Sequence, residues 1–288
     1  MQLLEFLYFW EIMPVFFASL NSGSNGNCYY IGNAEEAILV DAGISCREIE
    51  KRMKRLGLRM EMVKAIFVSH EHSDHITGIP ALSKKFRLPV YMTEATFRSA
   101  GIPVEEQLVA NFDAEQDIQI GDLSVRAFSK LHDASDPHSF MVSCGGINVG
   151  VFTDIGNVCP TVIRYFKQCH AVFLESNYCP DMLIKGNYPY HLKKRISGGN
   201  GHLSNQEALQ LFLQHGSKQL RHLLLCHLSK NNNDPALVEQ LFRDKAGNTH
   251  ITVASRYNET SVFKIEEEGC IPLKRNTVYT QLRLSLFE

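Results

Sequence analysis

The densest concentration of chemically capable side chains is Ser69-His70-Glu71-His72-Ser73-Asp74-His75, an H-x-H-x-D-H pattern that directly follows the strand-like run KAIFVSH (64–70). With 12 His among 288 residues, chance assembly of these four positions is on the order of one in a thousand. Two imidazoles at i and i+2 cannot share a helical face. On a tight loop leaving a strand they can converge on one ion, with Asp74 and His75 turned toward a second beside it. Imidazole and carboxylate donors suit Zn²⁺, Mn²⁺ or Fe²⁺. Four ligands do not complete two sites, so further donors must come from other strand ends. His132 lies just past LSVRAFSK, Asp154 ends INVGVFTD and His227 ends LLLCH. Each follows an apolar run that would deliver it to the same rim, giving seven ligands for two divalent ions with Asp154 able to bridge. Such a pair lowers the pKa of a shared water to ~7 and clamps the attacking and leaving oxygens of an in-line displacement.

The elements that must position these residues alternate between strands and helices. VFFASL, the turn SGSNGN, CYYIG and AILVD open the chain, followed by a helix over 45–56 with Ile49, Met53 and Leu56 on one face. After strand 64–70 come a helix ITGIPALSKKF and strand PVYMT. QDIQI-GD-LSVRAFS and SFMVSC-GG-INVGVFTD both read as strand, turn, strand. Then follow helix 160–168, strand AVFLES, helices near 189–196 and 204–215, strand LLLCH, helix 235–243 and strand THITVAS. Antiparallel runs mixed with helices in both halves predict an α/β fold, a four-layer αββα sandwich. No GxGxxG or GxxxxGK[ST] is present, so no nucleotide cofactor is expected.

Composition bounds the rest. With 44% hydrophobic residues and a formal charge of −2, the chain is globular and carries no general basic coat, which leaves open a localised nucleic-acid site. No apolar run reaches the ~18 residues of a membrane helix, and residues 1–12 lack a basic signal-peptide start, so a cytoplasmic protein without a membrane partner is expected. Eight cysteines without a CxxC pair read as reduced thiols. One hydrolase domain is expected over 13–265, with an N-terminal extension at 1–12 and a tail at 266–288 that begins with the acidic Glu266 to Glu268.

Taken together, Asp41, His70, His72, Asp74, His75, His132, Asp154 and His227 resemble the ordered motifs of the metallo-β-lactamase superfamily, over about residues 14–265. More closely, SGSNGNCYYIG, HDASDP, GHLSN and CHLSKNNNDP resemble the YycJ-type (also WalJ or VicX) subgroup of metallo-hydrolases, related to exonucleases. The resemblance implies His70, His72 and His132 on one metal, Asp74, His75 and His227 on the other, and Asp154 between them. Asp41 would orient a ligand imidazole. His72, where the flavodiiron branch has Glu, argues against oxygen reduction. His202 of GHLSN occupies the relative place of a histidine in RNase Z-like nucleases that protonates the leaving oxygen, and Glu175 would pair with it. Tyr178-Cys179 stand where the subgroup often has His-Asp.

These features imply phosphodiester hydrolysis of nucleic acid, as a 5′ to 3′ DNA exonuclease, with Asp74, His202 and Glu175 as catalytic residues. Substrate contacts are expected from Asn25, Asn27, Lys193, Arg195, Ser229 and Lys230, and phosphate contacts also from 231–233. Lys51, Arg52, Lys54 and Arg55 are expected at the surface. His138, His170, His191, His215, His222 and His250 match no motif and are expected as surface or satisfied core histidines, while Asp133 and Asp136 shape the loop around His132. Alternatives within the fold are a small-molecule thioesterase or cyclic phosphodiesterase. One outside it is a non-catalytic, metal-stabilised regulatory protein. The sequence leaves the oligomeric state open.

Overall fold

Alternation of side chains along each strand decides the layering. In β1 (Val15–Asn21), Val15 and Phe17 join one apolar cluster and Ala18 and Leu20 another; β2 (Cys28–Gly32) and β3 (Ala37–Val40) divide the same way. Both faces are buried, which is why these strands read as continuous apolar runs. The computed structural model describes residues 13–266 and the strand Gly269–Pro272. The expected extension at 1–12 lies outside the described residues, as do 267–268 and 273–288.

The chain continues through α1 (Cys46–Leu56), β4 (Val63–Phe67), α2 (Ser73–Ile76), α3 (Ile79–Phe86), β5 (Val90–Met92), α4 (Glu94–Ala100) and β6 (Val109–Asn111). The second half holds β7 (Asp117–Ile120), β8 (Leu123–Ser129), β9 (His138–Cys144), β10 (Ile147–Phe152), α5 (Pro160–Phe166) and β11 (Ala171–Glu175). It then runs through α6 (Pro180–Lys185), α7 (Tyr190–Ser197), α8 (Asn205–His215), β12 (His222–Cys226), α9 (Pro235–Arg243), β13 (His250–Val253), β14 (Phe263–Glu266) and β15 (Gly269–Pro272).

One sheet has the order β15-β14-β1-β2-β3-β4-β5-β6 and the other β13-β12-β11-β10-β9-β8-β7. Their facing surfaces meet through Phe17, Tyr29, Phe67, Phe140, Phe173 and their neighbours. Helices α1 and α3 cover the outside of the first sheet through Ile49, Met53, Ile79 and Leu82. Helices α5, α8 and α9 cover the second through Phe166, Ala208, Phe212, Val238 and Phe242. This is the αββα sandwich expected from the sequence.

Strands β3 to β6 run parallel, as do β10 to β13, and β8 shares the direction of β10 because both pair antiparallel with β9. Carboxyl ends of β4, β8, β10 and β12 therefore carry the predicted ligands outward along one rim, with Asp41 and Glu175 at the ends of β3 and β11. Local signals fix the helices that buttress it. Ser45 accepts from Glu48 N and left-handed Gly57 ends α1, while Ser204 and Glu207 form a capping box on α8.

Four expectations change. The helix ITGIPALSKKF is shortened to α3, because Pro80 belongs in a first turn, where its missing N–H costs nothing. Arg52 is buried rather than at the surface: its guanidinium donates to Leu20 O (2.8 Å), Asn21 Oδ1 (2.7 Å) and Tyr257 O (3.2 Å). Glu266 closes β14 and pairs with Lys264 at 2.6 Å, so strand structure extends beyond residue 265. His222 is buried against Phe17, Phe263 and His250, and its Nδ1 has no hydrogen-bond partner; the same holds for Nδ1 of His215.

The inter-sheet layer should dominate stability. Phe173 is fully buried, with its ring 4.9 Å from Tyr29 and 6.0 Å from Phe17. Phe173→Ala is expected to lower unfolding free energy by about 3–5 kcal/mol, seen as a shifted urea midpoint at unchanged slope.

Candidate metal centre

Three of the strand ends at the rim leave their sheet through a left-handed residue that is not glycine: Asp41 (φ 59°), Asp154 (φ 54°) and His227 (φ 55°). Asp and His tolerate this region better than most residues, yet each such backbone costs roughly 1–3 kcal/mol. The kink bends each chain at the moment its side chain is needed. All three side chains are buried at one place.

The first cluster is His70, His72 and His132. His70 Nδ1 donates to Ser69 Oγ (2.9 Å), which donates to Asp41 Oδ2 (2.8 Å), and His132 Nδ1 donates to Gly201 O (2.8 Å). Their Nε2 atoms are left as lone pairs, 3.0 Å and 3.4 Å from Nδ1 of His72. One proton on His72 Nδ1 can satisfy one of them and not both, whereas a cation satisfies all three nitrogens.

The second cluster is Asp74, His75 and His227. Asp41 Oδ2 accepts from His75 Nδ1 (2.7 Å) and Glu175 Oε1 accepts from His227 Nδ1 (2.9 Å). The opposite nitrogens, Nε2 of His75 and His227, lie 3.6 Å and 3.3 Å from Asp74 Oδ2. Asp154 stands between the clusters, with Oδ1 3.8 Å from His132 Nε2 and Oδ2 3.2 Å from His75 Nε2. Its Oδ2 is buried and makes no hydrogen bond. Converging lone pairs in the first cluster, buried carboxylate oxygens facing the imidazoles of the second and outward nitrogens already held by hydrogen bonds are what divalent cations require of a protein site. The residues present fit them.

The electrostatics agree. Burial alone would depress the pKa of His75, but the carboxylates of Asp154, Asp41 and Asp74 outweigh it and hold the imidazole well above its ordinary range. His227 is likewise pushed up to about 10, with Asp154, Asp74 and Glu175 overcoming burial. His132 falls to about 4, chiefly through burial. Burial would raise Asp74, but His75 and His227 hold its carboxyl well below the usual range. Protons on the second cluster thus occupy positions that a divalent ion would take over on binding.

A cleft of about 440 Å³ opens above the clusters, lined by His72, Asp74, Asp154, His202 and His227 on its floor. His202 Nδ1 donates to Glu175 Oε1 (2.8 Å), while Glu175 Oε2 accepts from Ile155 N (2.7 Å). Glu175, expected among the catalytic groups, is fully buried and does not reach the cleft; it positions His202 and His227.

The expected substrate contacts divide. Arg195 and Ser229 line the cleft, Arg195 paired with Asp133 at 2.5 Å. Asn27 is fully buried, and its Nδ2 reaches Asp74 Oδ2 (3.3 Å) and His75 Nε2 (3.2 Å), so it braces ligands rather than substrate. Asn25 is exposed and donates to Arg256 O. Lys193 does not line the cleft, since its Nζ is drawn to Ile184 O (2.6 Å). Lys230 lines a neighbouring cavity of about 310 Å³ with Arg256 and Tyr257. Of residues 231–233, Asn231 donates to Tyr188 Oη, while Asn233 is buried and donates to Ser176 O, Asn177 O and Asn205 Oδ1.

Several contributors escape a reading of the sequence. Lys130 is buried and donates to Thr153 O (2.6 Å), its pKa lowered by burial against the opposing pull of Asp154, Asp41 and Glu175. Asn177 Nδ2 donates to His227 O (2.8 Å), and His227 N donates to Ser22 Oγ (2.8 Å). Asn177 lies in the short polar phrase ESN, whose composition does not separate buried from exposed amides.

Gly43 packs so closely on α2 that a Cβ there would lie 1.7 Å from Asp74 O. Gly43→Ala should displace Asp74 and weaken divalent-ion binding by about 10–100-fold in calorimetric titration, with the far-ultraviolet circular dichroism retained. Asp154→Asn keeps the shape and tolerates the left-handed backbone while removing the charge. Thermal melts should show that Zn²⁺ or Mn²⁺ at about 100 times its dissociation constant stabilises the parent chain by ~2.7 kcal/mol, and that this gain is lost in Asp154→Asn.

Comparison with known proteins extends these observations. Residues 36–228 match the family model described as Beta-lactamase superfamily domain. Exodeoxyribonuclease YycJ of Bacillus anthracis is 34% identical over 245 residues, covering 81% of this chain and 91% of that protein. Exodeoxyribonuclease WalJ of Streptococcus pneumoniae is 29% identical over 222 residues, covering 75% of this chain and 82% of its own. The metallo-beta-lactamase fold protein YhfI from Bacillus subtilis shares the fold, with a TM-score of 0.69 at 16% identity over 88% of this chain and 100% of that one. The matched domain takes in both ligand clusters and the likeness to YycJ runs through most of either chain, so this chain belongs to the beta-lactamase superfamily and, within it, to the YycJ/WalJ-type branch.

Proposed function

We propose that this chain is a metal-dependent nuclease that hydrolyses phosphodiester bonds of DNA, removing nucleotides from the 5′ end, with two divalent ions, Zn²⁺, Mn²⁺ or Fe²⁺, as cofactors. One observation carries the reading: the ring of His202, fixed by Glu175, opens on the same cleft as both ligand clusters. The naming of the YycJ and WalJ relatives as exodeoxyribonucleases supports DNA as the substrate. The seven cysteines whose side chains are described are all free thiols, which suits a reducing cytoplasm. Among the described residues no helix is long and apolar enough to cross a membrane.

His70, His72 and His132 would hold one ion, Asp74, His75 and His227 the other, with Asp154 shared. When bound, the pair supplies Lewis acidity and a water that ionises near neutral pH. Asp74 lines the cleft and orients the attacking water. His202 has Nδ1 engaged by Glu175, which leaves Nε2 to deliver a proton to the departing oxygen. Arg195, at the rim, receives a substrate phosphate in exchange for Asp133.

The test is release of nucleotides from 5′- and 3′-labelled single-stranded and duplex DNA with Zn²⁺, Mn²⁺ or Fe²⁺. His202→Ala is expected to lower kcat by about 10²–10⁴-fold with metal content unchanged, and Asp74→Ala to abolish release. No release by the parent chain with any of these ions would overturn the proposal.

A further inference from the structure

Helix α7 buries none of its residues, although it carries Leu192 and Ile196. These two are one helical turn apart and share a face with Arg195. That face is turned to the metal cleft: Leu192, Arg195 and Ile196 line it, together with Tyr188 just before the helix. One wall is thus aromatic and aliphatic, opposite a floor of imidazoles and carboxylates. A bare phosphate gains nothing from such a wall. A flat, uncharged group attached to a phosphate does.

We infer that Tyr188, Leu192 and Ile196 form the binding wall for the base of the terminal nucleotide, a stacking subsite that discriminates nucleotides bearing a base from those without one while tolerating any base. The inference rests on the nuclease reading above and specifies what its cleft takes. The Tyr188 hydroxyl accepts from Asn231 Nδ2 at 3.0 Å, and the face of the ring is what a base would meet. The helix is tied at its middle and near its carboxyl end. Lys193 Nζ donates to Ile184 O of α6 (2.6 Å), and His202 N donates to Ile196 O (2.9 Å). A base against Ile196 therefore sits next to the backbone that carries the proton-donating imidazole. The cleft, at about 440 Å³, is of small-ligand size and suits a nucleotide end rather than a length of duplex. Every base has a π-face, so a wall of this kind is sequence-tolerant.

The experiment compares two end-labelled single-stranded oligonucleotides, identical except that the terminal nucleotide of one is abasic, in the presence of Mn²⁺. The parent chain is expected to release the base-bearing nucleotide with a kcat/KM roughly tenfold higher, the order of one base stacked on a ring, with the four bases within a few-fold of each other. Tyr188→Ala and, independently, Leu192→Ser should bring the ratio toward one, while Tyr188→Phe should retain it. Equal rates on both oligonucleotides in the parent chain, or a ratio unaltered in Tyr188→Ala and Leu192→Ser, would overturn the inference and leave the nuclease reading standing. No release from either would remove the nuclease reading, and the inference with it.

Discussion

The crowding of imidazole nitrogens and carboxylate oxygens at one buried rim is the constraint on which the rest of this structure depends. Nε2 of His70 and His132 face the same nitrogen of His72 at 3.0 Å and 3.4 Å, while Asp41, Asp154 and Glu175 are buried against the imidazoles of His75 and His227. Buried charge of one sign is unfavourable unless it is paired. Among the described residues that charge is met by the imidazoles of His75 and His227, which the surrounding carboxylates hold above their ordinary pKa range, and by the buried ammonium of Lys130 on Thr153 O. Divalent ions would take the place of those protons and engage the lone pairs of the first cluster, and the outward-facing hydrogen bonds of the ligands prepare for them.

Holding such a cluster together requires a frame that does not yield. The parallel strands deliver ligands at their carboxyl ends, and the aromatic layer between the sheets makes those ends rigid. Strain is then sustained at Asp41, Asp154 and His227, where the backbone is left-handed without glycine. Behind the second cluster, Asn177, Asn205 and Asn233 exchange hydrogen bonds with one another's segments, joining the strand end of β11, the start of α8 and the loop after β12. A fully satisfied buried network of this kind fixes geometry as well as any apolar contact.

How much of this was legible in the sequence depended on whether the determinants were local. H-x-H-x-D-H was legible because all four donors sit on one turn, and the strand-end positions of His132, Asp154 and His227 were legible because each closes an apolar run. Asp41 was placed beside a ligand imidazole by resemblance, and it accepts from both His75 and Ser69. Asn27 and Lys193 were assigned to substrate because composition reports polarity, not direction: one amide points inward to Asp74 and one ammonium points sideways to Ile184. Arg52 looked like a surface charge on a polar helix, yet three carbonyl-type acceptors contributed by distant segments hold it inside. Tyr188, Leu192 and Ile196 gave no signal at all, since apolar residues at helical spacing read as core.

The segment from α7 to α8 shows why these separate features form one device. Gly201 packs against the carbonyls of Arg195 and Ile196, where a Cβ would lie 2.1 Å and 2.2 Å away. That close approach lets Gly201 O accept from His132 Nδ1 and puts the amide of His202 on Ile196 O. A few consecutive residues thereby orient a metal-cluster imidazole, carry the imidazole held by Glu175, and end the helix whose Leu192 and Ile196 line the cleft. Backbone hydrogen bonds therefore connect the wall at Ile196 to His202 and, through Gly201 O, to His132, so the groups at the wall and at the floor of the cleft are positioned by one short segment.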